Sequence, residues 1–395
     1  MTLRILCLDI EGGHGGSSRS LYYFLKYVDR DRVAPEVWCR RNGPTVQMYL
    51  DIGIPVQVEP HLPKKSSLPR LSRNIWVQIR YFIDFFSSHL VRKRLLTTIN
   101  DRFDVVYFNH EAFYHLAAWL RPKVKAGFVM HNRTLLHDSW FARRQAQLLV
   151  AVNSVNIFIS ERERDNIRNL ANWNGGTVIH NVAEILAVRP QPHPKVLIDS
   201  RFTVACLSNY SWLRGVDRLM KVAIELRSMG HKDIKFLIAG EYSIPKSIQR
   251  KLRNATTLSE YAALCNVADS FVFLGHVTEP ERVLAASHAL VKPSREDNPW
   301  GRDILEALAM GLPVLACGSF DKFVKTGVNG YLYPHDENFN SKEMALDIIR
   351  LSIDPSLREM MSKSAVECIR QKCDGRSRAN DLMLAWERAY TSHAE

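Results

Sequence analysis

The sequence predicts an α/β protein made of two Rossmann-like domains with parallel sheets. Short apolar runs that end in polar residues, each followed by a loop and an amphipathic stretch, recur along the chain as strand–loop–helix units. The 395 residues suffice for two domains of ordinary size, each with its own core. Pro190, Pro192 and Pro194 gather between two such series, placing a linker at 188–200, a first domain at 1–187, a second at 201–374 and a closing segment at 375–395.

In the first series, Leu3 to Leu8 is an apolar run ending in Asp9. Glu11-Gly-Gly-His-Gly-Gly-Ser-Ser18 leads into Leu21, Leu25 and Val28, a Gly-rich loop opening a helix. Gly15 and Gly16 allow a phosphate to approach the backbone, and the helix N-terminus favours its charge. The alternative is a turn without a ligand. Gly13-His14-Gly15 half meets the dinucleotide fingerprint, and the second strand, near Val37, ends Cys39-Arg40-Arg41 rather than in an acidic residue, which argues against NAD. Pro55 to Val58 is a third strand. Val105 to Phe108 and Ala126 to Met130 read as buried strands with Asn109-His110 and His131-Asn132 at their carboxyl ends, where ligands collect. Val155 to Ser160 and Thr177 to His180 complete this sheet, followed by Asn181.

The second series starts with Phe202 to Leu207, the loop Ser208 to Gly215 and a helix from Val216 to Met229. Ile234 to Ala239 and Phe271 to Leu274 follow as strands, ending in Gly240-Glu241 and Gly275-His276-Val277. The chain is organised around Lys292 to Ala316, a strand, a loop held open by Pro293, Pro299 and Gly301, a helix from about Arg302, and a strand from Val314. Backbone N–H groups from Gly301 to Asp303 suit a phosphate. Glu306 beside them suits sugar hydroxyls, and the combination describes a nucleotide-sugar. A solvated helix residue above an ordinary turn is the alternative.

The spacing of Asn298 and Glu306, the Ala-containing helix and Gly311-Leu-Pro-Val314 resemble the donor motif of family 4 retaining glycosyltransferases, in which two Glu residues flank seven others. Glu306 matches the ribose-binding Glu, while Asn298 stands where the sugar-binding Glu is expected. Arg214-Gly215 is similar to that family's Lys-Gly, with Asn209 in the place of its first Arg. Asn132, Val182 and Lys322 also depart from the pattern.

The resemblance implies the GT-B fold, two Rossmann-like domains facing a central cleft, with the last helix crossing back to the first domain. It implies a donor site of Gly15, Gly16, Asn209, Arg214, His276, Val277, Asn298, Trp300, Gly301, Arg302 and Glu306. Arg214, His131 and Asn298 would carry the chemistry, and Asn109, His110 and Asn132 would meet a glycan or lipid-linked acceptor. The donor would be a UDP- or GDP-sugar, with no cofactor or metal. A sugar-nucleotide epimerase and a non-catalytic partner subunit remain alternatives.

Residues 1–200 carry 27 Lys and Arg against 17 Asp and Glu, a balance of +10, while the remainder has only +2. Such a field attracts anionic partners. From Lys64 to Arg94, Lys64, Lys65, Arg70, Arg73, Arg80, Arg92, Lys93 and Arg94 alternate with Trp76, Tyr81, Phe82, Phe85 and Phe86. This mixture suits an anionic membrane surface, or else a helix with its rings in the core. No nucleic-acid-binding motif accompanies it. Seven scattered cysteines without a Cys-x-x-Cys pair, and no apolar run of spanning length, point to the cytoplasm, peripheral to the inner face of the cell membrane.

Overall fold

The computed structural model describes residues 2–12, 15–63, 75–196 and 199–394. Gly13, His14, Lys64, Lys65, Arg70 and Arg73 lie outside the described residues. The chain divides into two compact units, Met1–Val182 with Cys373–Glu395, and Ala183–Lys372.

The first unit is a seven-stranded sheet in the order β3-β2-β1-β4-β5-β6-β7, every pair parallel. Its strands are β1 Leu3–Asp9, β2 Val33–Cys39, β3 Val56–Val58, β4 Val105–Phe108, β5 Gly127–Asn132, β6 Val155–Phe158 and β7 Thr177–Val178. The period-2 alternation of side chains divides β1 between two cores. Ile5 and Cys7 face one with Tyr107, Val129 and Trp386, and Leu6 and Leu8 face the other with Phe108, Phe128 and Met130. β6 stops at Phe158 because Ser160 serves as a cap, its hydroxyl accepting from Arg162 N at 3.1 Å while Glu163 reaches back to it.

The closing helix Gly375–Ala394 belongs to this unit. Trp386 is fully buried, edge-on to Tyr107 with centroids 5.7 Å apart. Gly127 lets the helix approach β5, since a Cβ there would lie 2.2 Å from Ala389 O.

The second unit repeats the plan with six parallel strands in the order β10-β9-β8-β11-β12-β13. They are β8 Phe202–Leu207, β9 Ile234–Ala239, β10 Phe271–Gly275, β11 Ala289–Lys292, β12 Val314–Cys317 and β13 Gly330–Tyr333. The proline-rich stretch is not a free tether: Arg189 donates to Met310 O at 2.9 Å, and Arg282 donates to Gln191 O and Pro192 O at 3.1 and 3.2 Å.

Asp29-Arg30-Asp31 forms a turn in which Asp29 Oδ1 accepts from Asp31 N at 2.9 Å. Among the described residues, no helix is long and apolar enough to cross a membrane.

Because Trp386 fills space shared by β4, β5 and the closing helix, Trp386→Ala should destabilise the first unit by about 3–5 kcal/mol. The midpoint of urea unfolding, read by far-ultraviolet circular dichroism, measures it.

Candidate active site

In both sheets the strand order reverses beside the first strand, at β1/β4 and at β8/β11, the place outside the carboxyl ends where open parallel sheets bind ligands. In the second unit the loop after β8 supplies Asn209 and Arg214. Asn209 Oδ1 accepts the backbone N–H of Glu241 at 2.9 Å, so its amide ties β8 to the end of β9. Gly240 makes that contact possible at φ +138, where a Cβ would lie 2.4 Å from Ser208 O. Arg214 is exposed, and its guanidinium has no hydrogen bond or ion pair among the described residues.

The loop after β11 grips the loop after β8. Arg295 Nη1 and Nη2 donate to the two carboxylate oxygens of buried Asp217 at 2.8 and 2.6 Å. Nη1 also donates to Trp212 O at 2.7 Å, and the guanidinium lies 3.6 Å from the Trp212 ring centroid. The Arg295 N–H donates to Leu213 O at 2.7 Å, and Ser294 Oγ to the same oxygen at 3.1 Å. Gly215, at φ +68, passes so close to Pro293 O that a Cβ would lie 2.0 Å from it. Removing one partner of a largely buried charge pair costs about 3–5 kcal/mol, because the other charge is left uncompensated.

Helix Arg302–Ala309 follows, with Gly301 as its N-cap. Its buried face is Ile304, Leu305, Ala307, Leu308 and Ala309, which leaves Arg302, Asp303 and Glu306 at the other face. Gly301 offers no side-chain cap, and Ile304 N–H donates to Gly301 O at 3.0 Å, so the N–H groups of Arg302 and Asp303 are the ones directed out of the helix mouth. Two ion pairs surround this mouth: Lys292 Nζ to Asp303 Oδ1 at 3.0 Å, and Arg302 Nη2 to Glu306 Oε1 at 2.8 Å. Arg302 is therefore engaged by Glu306. Trp300 is buried against Phe320, centroids 5.0 Å apart, and Asp297 accepts from Ser319 N and Oγ, both at 2.7 Å. Asn298 Oδ1 is buried without a hydrogen-bond partner among the described residues. At the end of β10, His276 is exposed and Val277 half-buried.

In the first unit the polar pairs after β4 and β5 do meet, but largely below the surface. Asn109 Nδ2 donates to Asp9 Oδ1 at 3.1 Å and to Ser17 O at 3.0 Å, and its Oδ1 accepts from Arg133 at 2.7 Å. Arg133 also donates to Asn181 Oδ1 at 3.0 Å and to Asn109 O at 2.7 Å. Asn132, expected at an acceptor, points its amide nitrogen at Asn156 Oδ1 and Ile157 O, at 3.3 and 3.2 Å, and is buried. His131, expected in the chemistry, is also fully buried, so neither side chain presents a surface to a ligand. His110 Nδ1 accepts from Ala112 N at 3.1 Å and lies 3.3 Å from Glu111 Oε2. Gly15 caps the first helix, and Glu11 Oε2 lies 2.8 Å from where a Gly15 Cβ would be, so the mouth at Gly15 and Gly16 already holds a carboxylate.

Among the described residues, no three His, Cys, Asp or Glu side chains converge as metal ligands. Sequence reasoning missed Asp217, Arg295, Asp297, Glu111 and Arg133. Arg133 and Glu111 had a local signal, adjoining His131-Asn132 and Asn109-His110 at strand ends, and Arg295 and Asp297 lie within the Lys292 to Ala316 stretch.

Residues 189–367, inside the second unit, match the family described as glycosyl transferases group 1. An alpha-D-kanosaminyltransferase of Streptomyces kanamyceticus is 26% identical over 238 residues, 57% of this chain and 57% of that one, so the match spans little more than half of that relative. Anabaena Alr3699/HepE, solved with UDP and glucose, aligns at TM-score 0.75 with 21% identity, covering 96% of this chain and 98% of that one. Sucrose-phosphate synthase of Thermosynechococcus elongatus aligns at 0.68 with 16% identity, covering 99% and 100%. At such identities the likeness is one of fold, the GT-B arrangement.

The protonation of His131 follows from its neighbours. Arg133 can only donate, so His131 Nδ1, 3.1 Å from Arg133 Nη2 and 2.6 Å from Tyr107 Oη, accepts, and the ring proton sits on Nε2. Burial, then the charges of Arg133 and His110, hold its pKa well below the usual imidazole value. The unfolded chain takes up a proton near pH 6.5 that the folded ring refuses, so stability is full above that pH and falls as pH drops toward the depressed folded value. The slope should reach at most about 1.4 kcal/mol per pH unit. Urea titrations between pH 5 and 7.5 should show it, and His131→Gln should flatten it.

Proposed function

We propose that this chain, whose second unit belongs to the glycosyl transferases group 1, moves a sugar from a nucleotide-sugar to a glycan or lipid-linked acceptor with retention of anomeric configuration. The observation that carries this reading is the mouth of helix Arg302–Ala309, where uncapped amides, an orphaned buried acceptor on Asn298 and the Glu306 carboxylate belong to one loop and helix. The amides receive the diphosphate. Glu306, oriented by Arg302, retains lone pairs for ribose hydroxyls, and Asn298 Oδ1 accepts from a sugar hydroxyl. His276 and Val277 border the base. UDP complexes of Alr3699/HepE support a uridine donor.

Arg214 supplies the positive charge for the reaction. The bond between the anomeric carbon and the diphosphate oxygen breaks, the acceptor oxygen bonds to that carbon on the same face, and the departing phosphate oxygen takes the acceptor proton. Charge grows on the diphosphate as this happens, so a preorganised cation and fixed amides lower the barrier more than they strengthen donor binding. A panel of labelled UDP- and GDP-sugars tests the reading: transfer or slow hydrolysis supports it, whereas epimer formation or binding without turnover replaces it. Arg214→Ala should lower kcat by about a hundredfold or more. Glu306→Ala should weaken UDP binding in calorimetry by about 1–3 kcal/mol.

The first unit carries the acceptor side of this reading, in cell-envelope polysaccharide or glycolipid synthesis at an anionic lipid surface. Helices Ile75–Ser87 and His89–Arg102 leave Trp76, Ile79, Ile83, Phe86 and Leu90 exposed at spacings of three and four, with Trp76 and Phe86 at 72% and 71%. Rings and aliphatic side chains in a helical stripe beside exposed Arg80 and Lys93 suit headgroup depth and anionic lipid. Arg92 takes no part in this, because it is buried, 4.1 Å from the Phe85 ring centroid and 4.8 Å from that of Trp119. Liposomes of phosphatidylglycerol and phosphatidylcholine should carry the protein upward in flotation, less so in high salt and after Trp76→Ser with Phe86→Ser. Equal recovery on pure phosphatidylcholine, or none on either, would replace lipid by a soluble acceptor.

A further inference from the structure

We infer that Arg295 and Asp217 are positioning residues that hold Arg214 where it serves the departing diphosphate. The inference rests on the reading of Arg214 given above. Among the described residues, Arg214 is anchored through its backbone N–H, which donates to Ser211 O at 3.0 Å and Ser211 Oγ at 3.3 Å. Its guanidinium stands off the protein, so its location is that of its loop.

That loop is fixed from one side. Trp212 O and Leu213 O, immediately before Arg214, accept from Arg295, and Gly215, immediately after, rests against Pro293 O. Arg295 performs three tasks at once: it pairs with both oxygens of Asp217, donates to Trp212 O and sits over the Trp212 ring, 3.6 Å from its centroid. Tyr210 Oη adds a bond to Asp217 Oδ1 at 3.3 Å, so the carboxylate ties the start of the loop to the arginine that grips its end. A planar fork is needed for this. Lysine keeps the charge but offers neither paired donors in one plane nor a flat face.

A double-mutant cycle on the full chain tests the inference, using UDP-glucose or whichever sugar of the panel turns over fastest. Arg295→Lys should lower kcat by about tenfold or more while donor KM stays within about threefold, because only the transition-state contact is misplaced. In an Arg214→Ala background the same change should have no further effect, since nothing remains to be positioned. Asp217→Asn should behave like Arg295→Lys, and it supplies the cycle if Arg295→Lys fails to fold in a thermal melt. Losses that multiply in the double variant, or a kcat within about twofold of the parent for the single one, overturn the inference. If Arg214→Ala leaves kcat unchanged, the reading of Arg214 fails instead, so the two failures are distinct.

Discussion

An all-parallel sheet brings every strand out on the same edge, and that constraint governs this protein. With strand order reversing beside β1 and again beside β8, neighbouring loops turn away from each other and leave a crevice. Polar side chains that could not survive between two apolar layers are collected there. In the second unit these are Lys292, Arg295, Asp217 and the helix after Gly301, and in the first Asp9, Asn109 and Arg133.

The two crevices are wired differently. In the second unit Arg295 is paired with Asp217, Lys292 with Asp303 and Arg302 with Glu306, a nearly neutral framework. An anion entering it meets oriented amides and the guanidinium of Arg214 rather than a general excess of charge. In the first unit Arg133 ties Asn109 and Asn181, from two distant chain segments, to its neighbour His131. This densely bonded network gives rigidity, although His131 Nε2 and Asn132 Oδ1 are buried without a partner among the described residues.

Strands buried on both faces read as continuous apolar runs, and with the partly exposed edge strands β3 and β7, found from short β-branched stretches, eleven of the thirteen are visible in the sequence, from Leu3 to Val314. β2 was placed only by Val37, and β13, after the turn around Gly327, was not seen at all. Asn298, Gly301 and Glu306 were legible because loop and helix are contiguous. Arg295 and Asp217 were not, because 78 residues separate them and only the pairing of β8 with β11 brings their loops together. Arg92 sat in a run of bases whose solvent face seemed the obvious place for it, yet two aromatic rings take up its guanidinium. His131 and Asn132 stand at the right strand end but within β5 itself, so their side chains turn into the two layers on either face of the sheet and both are buried.

The first unit receives its closing helix from the far end of the chain, after all of the second unit. During synthesis the first sheet must therefore wait. About 190 residues intervene between Val182 and Cys373, which at roughly 5–20 residues per second is on the order of ten to forty seconds with the pocket for Trp386 unfilled. The second unit, contiguous in sequence, can close on itself in the meantime, so the domain translated first is the one finished last. Its exposed apolar sheet face then becomes a natural client for chaperones at the ribosome.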